Sequence, residues 1–354
     1  MNGKRKKIGI LTAGGDCPGL NAAIRGVGKT ALLKYGYELI GFSSGYLGLI
    51  RNEYKVLDEL ALSGILTVGG TILGSSREKP FKEREYDDYI MSKPDHIIEN
   101  YQALGLDCLV CIGGNGTQKT AWRLAEMGLN VVGIPKTIDN DVWGTDLTFG
   151  FDSAVAIAAE AIDRLHTTAN SHKRIMVVEV MGHSAGWLTL HSGVAAGGDV
   201  ILIPEIPYEL DVIADYVKRR SKLGKPYSIV VVAEGIALPP KSSGKPRDVP
   251  AGAFIANQIE KITGLETRET ILGYIQRGGS PTARDRVVAT ELGSYTAEMI
   301  AREEYGHMAA YDGFRLASIP LETVASQVKT VPPDHPLIGY ARSIDTCFGD
   351  RPAN

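Results

Sequence analysis

The chain has 354 residues, 44% of them hydrophobic and 22% charged, with a formal net charge of −3. That length supports two lobes or one large α/β unit with a substantial core, and the composition is ordinary for a soluble globular protein. The charge leaves no nucleic-acid footprint, no apolar run reaches the length of a membrane span, and no secretory h-region opens the chain. A cytoplasmic protein with neither nucleic-acid nor membrane partners is therefore expected. The basic run Lys4-Arg5-Lys6-Lys7 reads as a solubilising flank rather than a binding patch. Four cysteines fit a reducing compartment. Cys108 and Cys111 form a Cys-x-x-Cys pattern inside an apolar run, where strand spacing points them to opposite faces. They read as core residues, not as a redox pair.

Strands alternate with helices along the chain. A strand at 8–11 leads through a Gly-rich loop into a helix over 19–34, with a second strand at 38–42. A helix is expected over 82–104, a strand at 107–112, a helix at 117–127 and a strand at 131–134. An amphipathic helix at 152–170 precedes a strand at 174–180, a helix from Ala185 and a strand at 199–203. A helix at 209–222 and a strand at 228–233 lead to a linker at 238–250, rich in Pro, Ser, Gly and Lys, which reads as a mobile surface loop. A helix at 250–263, a strand at 267–273 and a helix at 283–305 follow, and a Pro-rich tail from about 320 reads as irregular. Helical runs between strands imply right-handed crossovers and an α/β fold of mainly parallel sheets flanked by helices.

Two segments carry most of the chemistry. Gly113-Gly114-Asn115-Gly116-Thr117 and Pro135-Lys136-Thr137-Ile138-Asp139-Asn140-Asp141 each follow a short apolar run. Each therefore reads as the loop at the carboxyl end of a parallel strand, where open α/β sheets bind ligands. The glycines let backbone N–H groups approach a phosphate. Asp139 and Asp141 would repel that phosphate unless a metal or a proton transfer gave them a role, and phosphoryl transfer supplies both. A third loop, Thr12-Ala13-Gly14-Gly15-Asp16-Cys17-Pro18-Gly19, also precedes a helix, and Arg77 closes the segment Leu73-Gly74-Ser75-Ser76. Arg174, the segment Met181-Gly182-His183, Glu234, Arg268 and the run Tyr274-Ile275-Gln276-Arg277 are all read at strand ends, with arginines suited to a sugar phosphate.

These motifs, in this order over roughly residues 8–310, resemble the phosphofructokinase family. Leu-Thr-Ala-Gly-Gly-Asp-Cys-Pro-Gly-Leu-Asn, Gly-Gly-Asn-Gly-Thr, Pro-Lys-Thr-Ile-Asp-Asn-Asp, Val-Glu-Val-Met-Gly-His and Leu-Gly-Tyr-Ile-Gln-Arg-Gly-Gly-Ser-Pro carry the likeness. The resemblance implies a two-lobed subunit with a nucleotide or diphosphate in the cleft and fructose 6-phosphate facing it. The expected division is a donor lobe at 1–150, to which C-terminal segments return, a sugar-phosphate lobe at 151–310, and a final segment and tail at 311–354. It further implies Asp139 as the base on the sugar 1-hydroxyl, with Lys136, Thr137 and Asp141 beside it. Gly15, Arg77 and residues 113–117 correspond to the donor site. Thr137, Ile138, Met181, Gly182, His183, Glu234, Tyr274, Ile275, Gln276 and Arg277 correspond to sugar contacts. Arg174 and Arg268 correspond to arginines that reach in from an adjacent subunit, which implies a homodimer or homotetramer. The cofactor implied is Mg²⁺, beside Asn115.

The chain departs from the family pattern in places. An acidic residue is usual at Asn115, whose neutral amide would weaken Mg²⁺ binding. Tyr274 stands for a common histidine and His183 for a usual arginine. Of the bacterial effector site, Arg25 and Lys29 match in charge but His166 and Pro226-Tyr227 do not, so that mode of control is not expected. Gly116 is the open, ATP-compatible choice and Lys136 the diphosphate-like one. The expected activity is ATP-dependent 6-phosphofructokinase, with a diphosphate-dependent enzyme as the alternative. A non-catalytic sugar-phosphate or nucleotide sensor is the rival from another class, favoured only by Asn115.

Overall fold

The computed structural model describes residues 5–82, 92–240 and 248–351. Lys4 of the basic run, residues 83–91 of the helix expected over 82–104, and residues 241–247 of the linker lie outside the described residues. In chain order, strand β1 (Lys7–Thr12) leads through helix α1 (Leu20–Lys29) to β2 (Glu38–Phe42). Helix α2 (Tyr46–Arg51), strand β3 (Tyr54–Val56) and helix α3 (Lys93–Ala103) precede β4 (Cys108–Gly113), α4 (Asn115–Glu126) and β5 (Val131–Thr137). A short β6 (Phe149–Gly150) is followed by α5 (Phe151–His172), β7 (Ile175–Val180), α6 (Trp187–Ala195) and β8 (Val200–Leu202). Then come α7 (Leu210–Lys222), β9 (Ser228–Ala233), α8 (Ala251–Thr263) and β10 (Thr267–Ile271). A 3-10 turn (Gly273–Arg277), α9 (Ala283–Ala301), β11 (His307–Asp312), β12 (Arg315–Pro320), α10 (Leu321–Ala325) and α11 (Pro336–Ser343) complete the chain.

The described residues form two compact units. Unit 1 comprises those of Met1–Ser153 with Arg277–Lys329, and unit 2 those of Ala154–Gln276 with Thr330–Asn354. The sheet of unit 1 has the order β12-β11-β5-β4-β1-β2-β3, with β6 paired to β5. Its centre is parallel, while β3 and β12 cap the ends in antiparallel pairings. Strands β4 and β5 are buried along their whole length, as central strands under helices on both faces must be. The chain leaves β1 towards β2 but leaves β4 towards β5, so the strand order reverses between β1 and β4. That reversal is the topological switch point at which such sheets hold ligands.

Two expectations need correction. Residues 277–310 pack in unit 1, not with residues 151–276. The reason is a close crossing of α1 and α9: a Cβ on Gly26 would come within 2.8 Å of the Thr290 carbonyl, and one on Gly293 within 2.6 Å of that of Ala23. The tail beyond 320 is also structured. Val142 and Val328 form an antiparallel bridge in unit 1, and Val200 and Cys347 a parallel one in unit 2.

Unit 2 holds a fully parallel sheet, β10-β7-β9-β8, whose core is built on Val177, Val230, Val232, Ile213 and Phe254. Cys108 and Cys111 lie buried on β4 of unit 1 as free thiols, and burial pushes Cys111 up to about 12. Burial that disfavours the thiolate, and a strand in place of a helix N-terminus, fit core residues. Among the described residues, no helix is long and apolar enough to cross a membrane.

Candidate active site

The loops after β1, β4 and β5 meet at the carboxyl rim of unit 1. Strand β5 runs further than its apolar run suggests, through Lys136 and Thr137, so the turn proper begins at Ile138. Alternation along the strand sends Lys136 and Thr137 to opposite faces. The Lys136 ammonium is buried and donates to the Gly15 carbonyl, and burial pulls its pKa down. A Cβ on Gly14 would sit 3.7 Å from Lys136 Nζ and 3.8 Å from Thr117 Oγ1, so these three residues face one space. Gly114 abuts the far side, 3.5 Å from the Lys136 carbonyl by the same measure. Gly113 admits no side chain, because its Cβ would fall 2.2 Å from Thr117 Oγ1. At Gly116, by contrast, a Cβ would meet nothing within 4 Å.

The first loop is tied to the segment at 71–77. Gly14 N–H donates to Ser76 O (2.9 Å), Ser75 Oγ to Gly14 O (2.6 Å) and Thr12 Oγ1 to Gly74 O (2.7 Å). Arg77 sits exposed at the end of this tie. Arg277, expected as a sugar contact, lies in unit 1 and donates from Nη1 to the Asp16 carbonyl at 3.2 Å. Helices α1 and α4 both begin at these loops on glycine N-caps that make no side-chain cap hydrogen bond. Their first-turn amides are thus presented to the loops, the arrangement that attracts phosphate.

Asp139 N–H donates to Thr137 Oγ1 at 3.1 Å, and Asn140 adopts the left-handed conformation, φ 49°. Asn115 Nδ2 donates to Asp141 Oδ2 at 2.7 Å and to the Asp141 carbonyl at 3.2 Å. Asn115 Oδ1 is buried and has no hydrogen-bond partner among the described residues. An oxygen left in that state costs about 1–3 kcal/mol, so it suits a ligand that would satisfy it. The donor set is hard oxygen with few carboxylates, as Mg²⁺ takes when phosphates and water complete its shell. Among the described residues no three His, Cys, Asp or Glu gather as an all-protein cage. The residues present fit Mg²⁺ held largely by a phosphate substrate.

In unit 2 the predicted residues divide between two rims. Met181, Gly182, His183, Glu234 and residues 272–276 follow the carboxyl ends of β7, β9 and β10. Glu234 Oε1 accepts the backbone N–H groups of His183 (2.9 Å) and Gly182 (3.3 Å), holding His183 at φ 52° with its side chain exposed. Gln276 is fully buried, accepting from Met181 N and donating to Gly273 O, so its side chain packs the turn. Ile138, in unit 1, is likewise fully buried, which leaves only its backbone for a ligand. Tyr274 and Ile275 are exposed.

Arg174 and Arg268 stand elsewhere. Arg174 precedes β7, and Arg268, second residue of β10, pairs in register with Met176. Both lie at the amino rim, not at the strand ends where the sequence reading put them. A six-residue strand spans about 20 Å, which separates Arg174 from Met181–His183 within the chain. Both arginines bond Glu266, Arg174 Nε to Oε2 at 2.8 Å and Arg268 Nη2 to Oε1 at 2.6 Å. Sequence reasoning passed over Glu266, because one glutamate beside an edge strand carries no signal. Within unit 2, Arg220 Nη2 meets Asp199 Oδ1 at 2.6 Å, and His166 Nδ1 lies 3.0 Å from Tyr227 Oη.

Fold and rim together define an open, mainly parallel α/β protein with glycine-rich loops at its switch point. The sequence profile described as Phosphofructokinase matches residues 7–300, and the chain belongs to that family. "ATP-dependent 6-phosphofructokinase 3" of Bacteroides thetaiotaomicron is 57% identical over 97% of this chain and 100% of its own length. "ATP-dependent 6-phosphofructokinase" of Spirochaeta thermophila is 56% identical over 98% of each chain. The crystal structure of pyrophosphate-dependent phosphofructokinase from Nitrosospira multiformis superposes with a TM-score of 0.83 over 99% of this chain and 94% of that one. At 21% identity this last likeness speaks for the fold alone.

Proposed function

We propose that the protein is an ATP-dependent 6-phosphofructokinase, which transfers the γ-phosphoryl group of ATP to the 1-hydroxyl of fructose 6-phosphate. The donor assignment is carried by the two relatives above 55% identity, both named as ATP-dependent over nearly their full lengths. Asp139 takes the proton of the 1-hydroxyl as its oxygen bonds to the γ-phosphorus, the bond to the β-γ bridging oxygen breaks, and ADP leaves. Thr137 holds the backbone of Asp139 through its hydroxyl. Lys136, buried beside Gly14 and Gly15, supplies positive charge to the phosphates. Asn115 and Asp141 would hold Mg²⁺, which when bound would offset the negative charge of the phosphates.

In unit 2, Met181–His183, braced by Glu234, and residues 273–276 offer backbone and side-chain groups to the sugar. Arg174 and Arg268 are read as acting in the site of a second subunit of a homodimer or homotetramer, since their rim lies a strand length from those groups. The open space at Gly116 favours the bulkier donor. Turnover measured with ATP and with diphosphate, each at saturating fructose 6-phosphate, tests the assignment. ATP should support the larger kcat/KM; activity with diphosphate alone would overturn it. Sugar-phosphate binding without turnover on either donor would make the chain a sensor.

A further inference from the structure

Residues 138–148 form the loop between β5 and β6, and Asn140, which stands between Asp139 and Asp141, sets them apart by its left-handed backbone. Such a conformation is tolerated by asparagine but needs support in a loop that must not drift. The support comes from the far end of unit 1. Lys329 Nζ donates to Asn140 Oδ1 (3.1 Å), Thr145 O (2.7 Å) and Asp146 O (3.1 Å). Three ammonium protons meet three neutral oxygens of one loop. Asn140 completes the brace, with Nδ2 donating to Asp146 O at 3.3 Å and Oδ1 accepting from Thr148 N at 3.1 Å. The backbone joins in: Lys329 N–H donates to Asp141 O at 2.9 Å, beside the Val142–Val328 bridge.

We propose that Lys329 is a positioning residue for phosphoryl transfer: it ties the segment at 328–329 to the two-aspartate loop and, through Asn140, sets the direction of Asp139 and Asp141. These three bonds go to oxygens of the loop that carries both aspartates, so the brace acts on that loop. The inference rests on reading Asp139 as the base. Displacement of a reacting group by about 1 Å can cost 10²-fold in rate. Lys329→Met keeps the unbranched stem, one atom shorter, and removes the charge and the three donors.

The test uses the full chain with ATP and fructose 6-phosphate. With folded enzyme counted by titrating its fructose 6-phosphate sites, Lys329→Met should lower kcat per folded site by about 10–100-fold, with both KM values within about three-fold of wild type. Lys329→Ala should regain kcat when n-propylammonium is added, in a concentration-dependent way. Asn140→Gly, which keeps the backbone freedom and deletes the brace, should fall in the same range, and combining it with Lys329→Met should not multiply the losses. A Lys329→Met kcat within two-fold of wild type, a loss confined to KM, or multiplicative losses in the double variant would overturn the proposal. If Lys329→Met does not fold, Asn140→Gly decides alone, and a kcat within two-fold of wild type refutes it. Failure of the base assignment reads out separately, in an Asp139 variant that stays active.

Discussion

The carboxyl rim of unit 1 and the amino rim of unit 2 both present residues suited to phosphate, but only the first is finished by its own chain. In unit 1 the loops are cross-braced: Gly14 to Ser75 and Ser76, Lys136 to Gly15, Asn115 to Asp141 and Lys329 to Asn140. Little has to be ordered when a phosphate arrives, which is how preorganised charge acts in catalysis. In unit 2, Arg174 and Arg268 share one exposed carboxylate, Glu266, and such exposed pairs hold weakly. A phosphate could take both arginines from it by charge-assisted, bidentate bonding. The difference teaches that one region is braced within its own unit, while the other holds its arginines only by an exposed carboxylate, as the proposed sharing between subunits requires.

The largest expected effect breaks the completed region. Removing a positioned base costs about 10²–10⁴-fold, so Asp139→Ala should lower kcat by that much in steady-state assays. Sugar-phosphate affinity should stay within a few-fold. A variant keeping a tenth of the wild-type turnover would exclude Asp139 as the base. A smaller effect sharpens the same region at Asn115. Its Nδ2 lies 2.7 Å from Asp141 Oδ2, so Asn115→Asp sets two carboxylates at hydrogen-bond distance, a repulsion that a divalent cation relieves. The Mg²⁺ concentration for half-maximal rate should fall a few-fold, with less change in the sugar-phosphate KM. Overlapping magnesium titrations of the two proteins would leave Asn115 a turn-forming residue only.

Much of the unit 1 rim was legible because it is local. Gly-Gly-Asn-Gly-Thr and the two aspartates are contiguous, and the apolar runs before them announce the strands. The reach of β5 into Lys136 and Thr137 was hidden, since polar residues at a strand's end look like loop until their burial is seen. The antiparallel pair β11–β12 was missed although Asp312-Gly313 between strand-like residues is a hairpin signal, with Gly313 at φ 61°. Lys329 and Glu266 carry no local pattern: each acts by contact with residues distant in the chain or at a rim that only sheet register defines. The opposite placement of Arg174 and Glu234 was within reach, since Arg174 opens the strand expected at 174–180 and Glu234 follows the one at 228–233, yet both were read alike as strand ends.

The central claim, that the amino-rim arginines complete a site on another subunit, is tested most directly by complementation. Asp139→Ala and Arg174→Ala subunits, each inactive alone and carrying different tags, are refolded together and the hybrid oligomers isolated. A site with an intact Asp139 and an Arg174 supplied by its neighbour should regain part of the wild-type turnover with ATP and fructose 6-phosphate. Hybrids that form but stay as inactive as both parents would contradict the account.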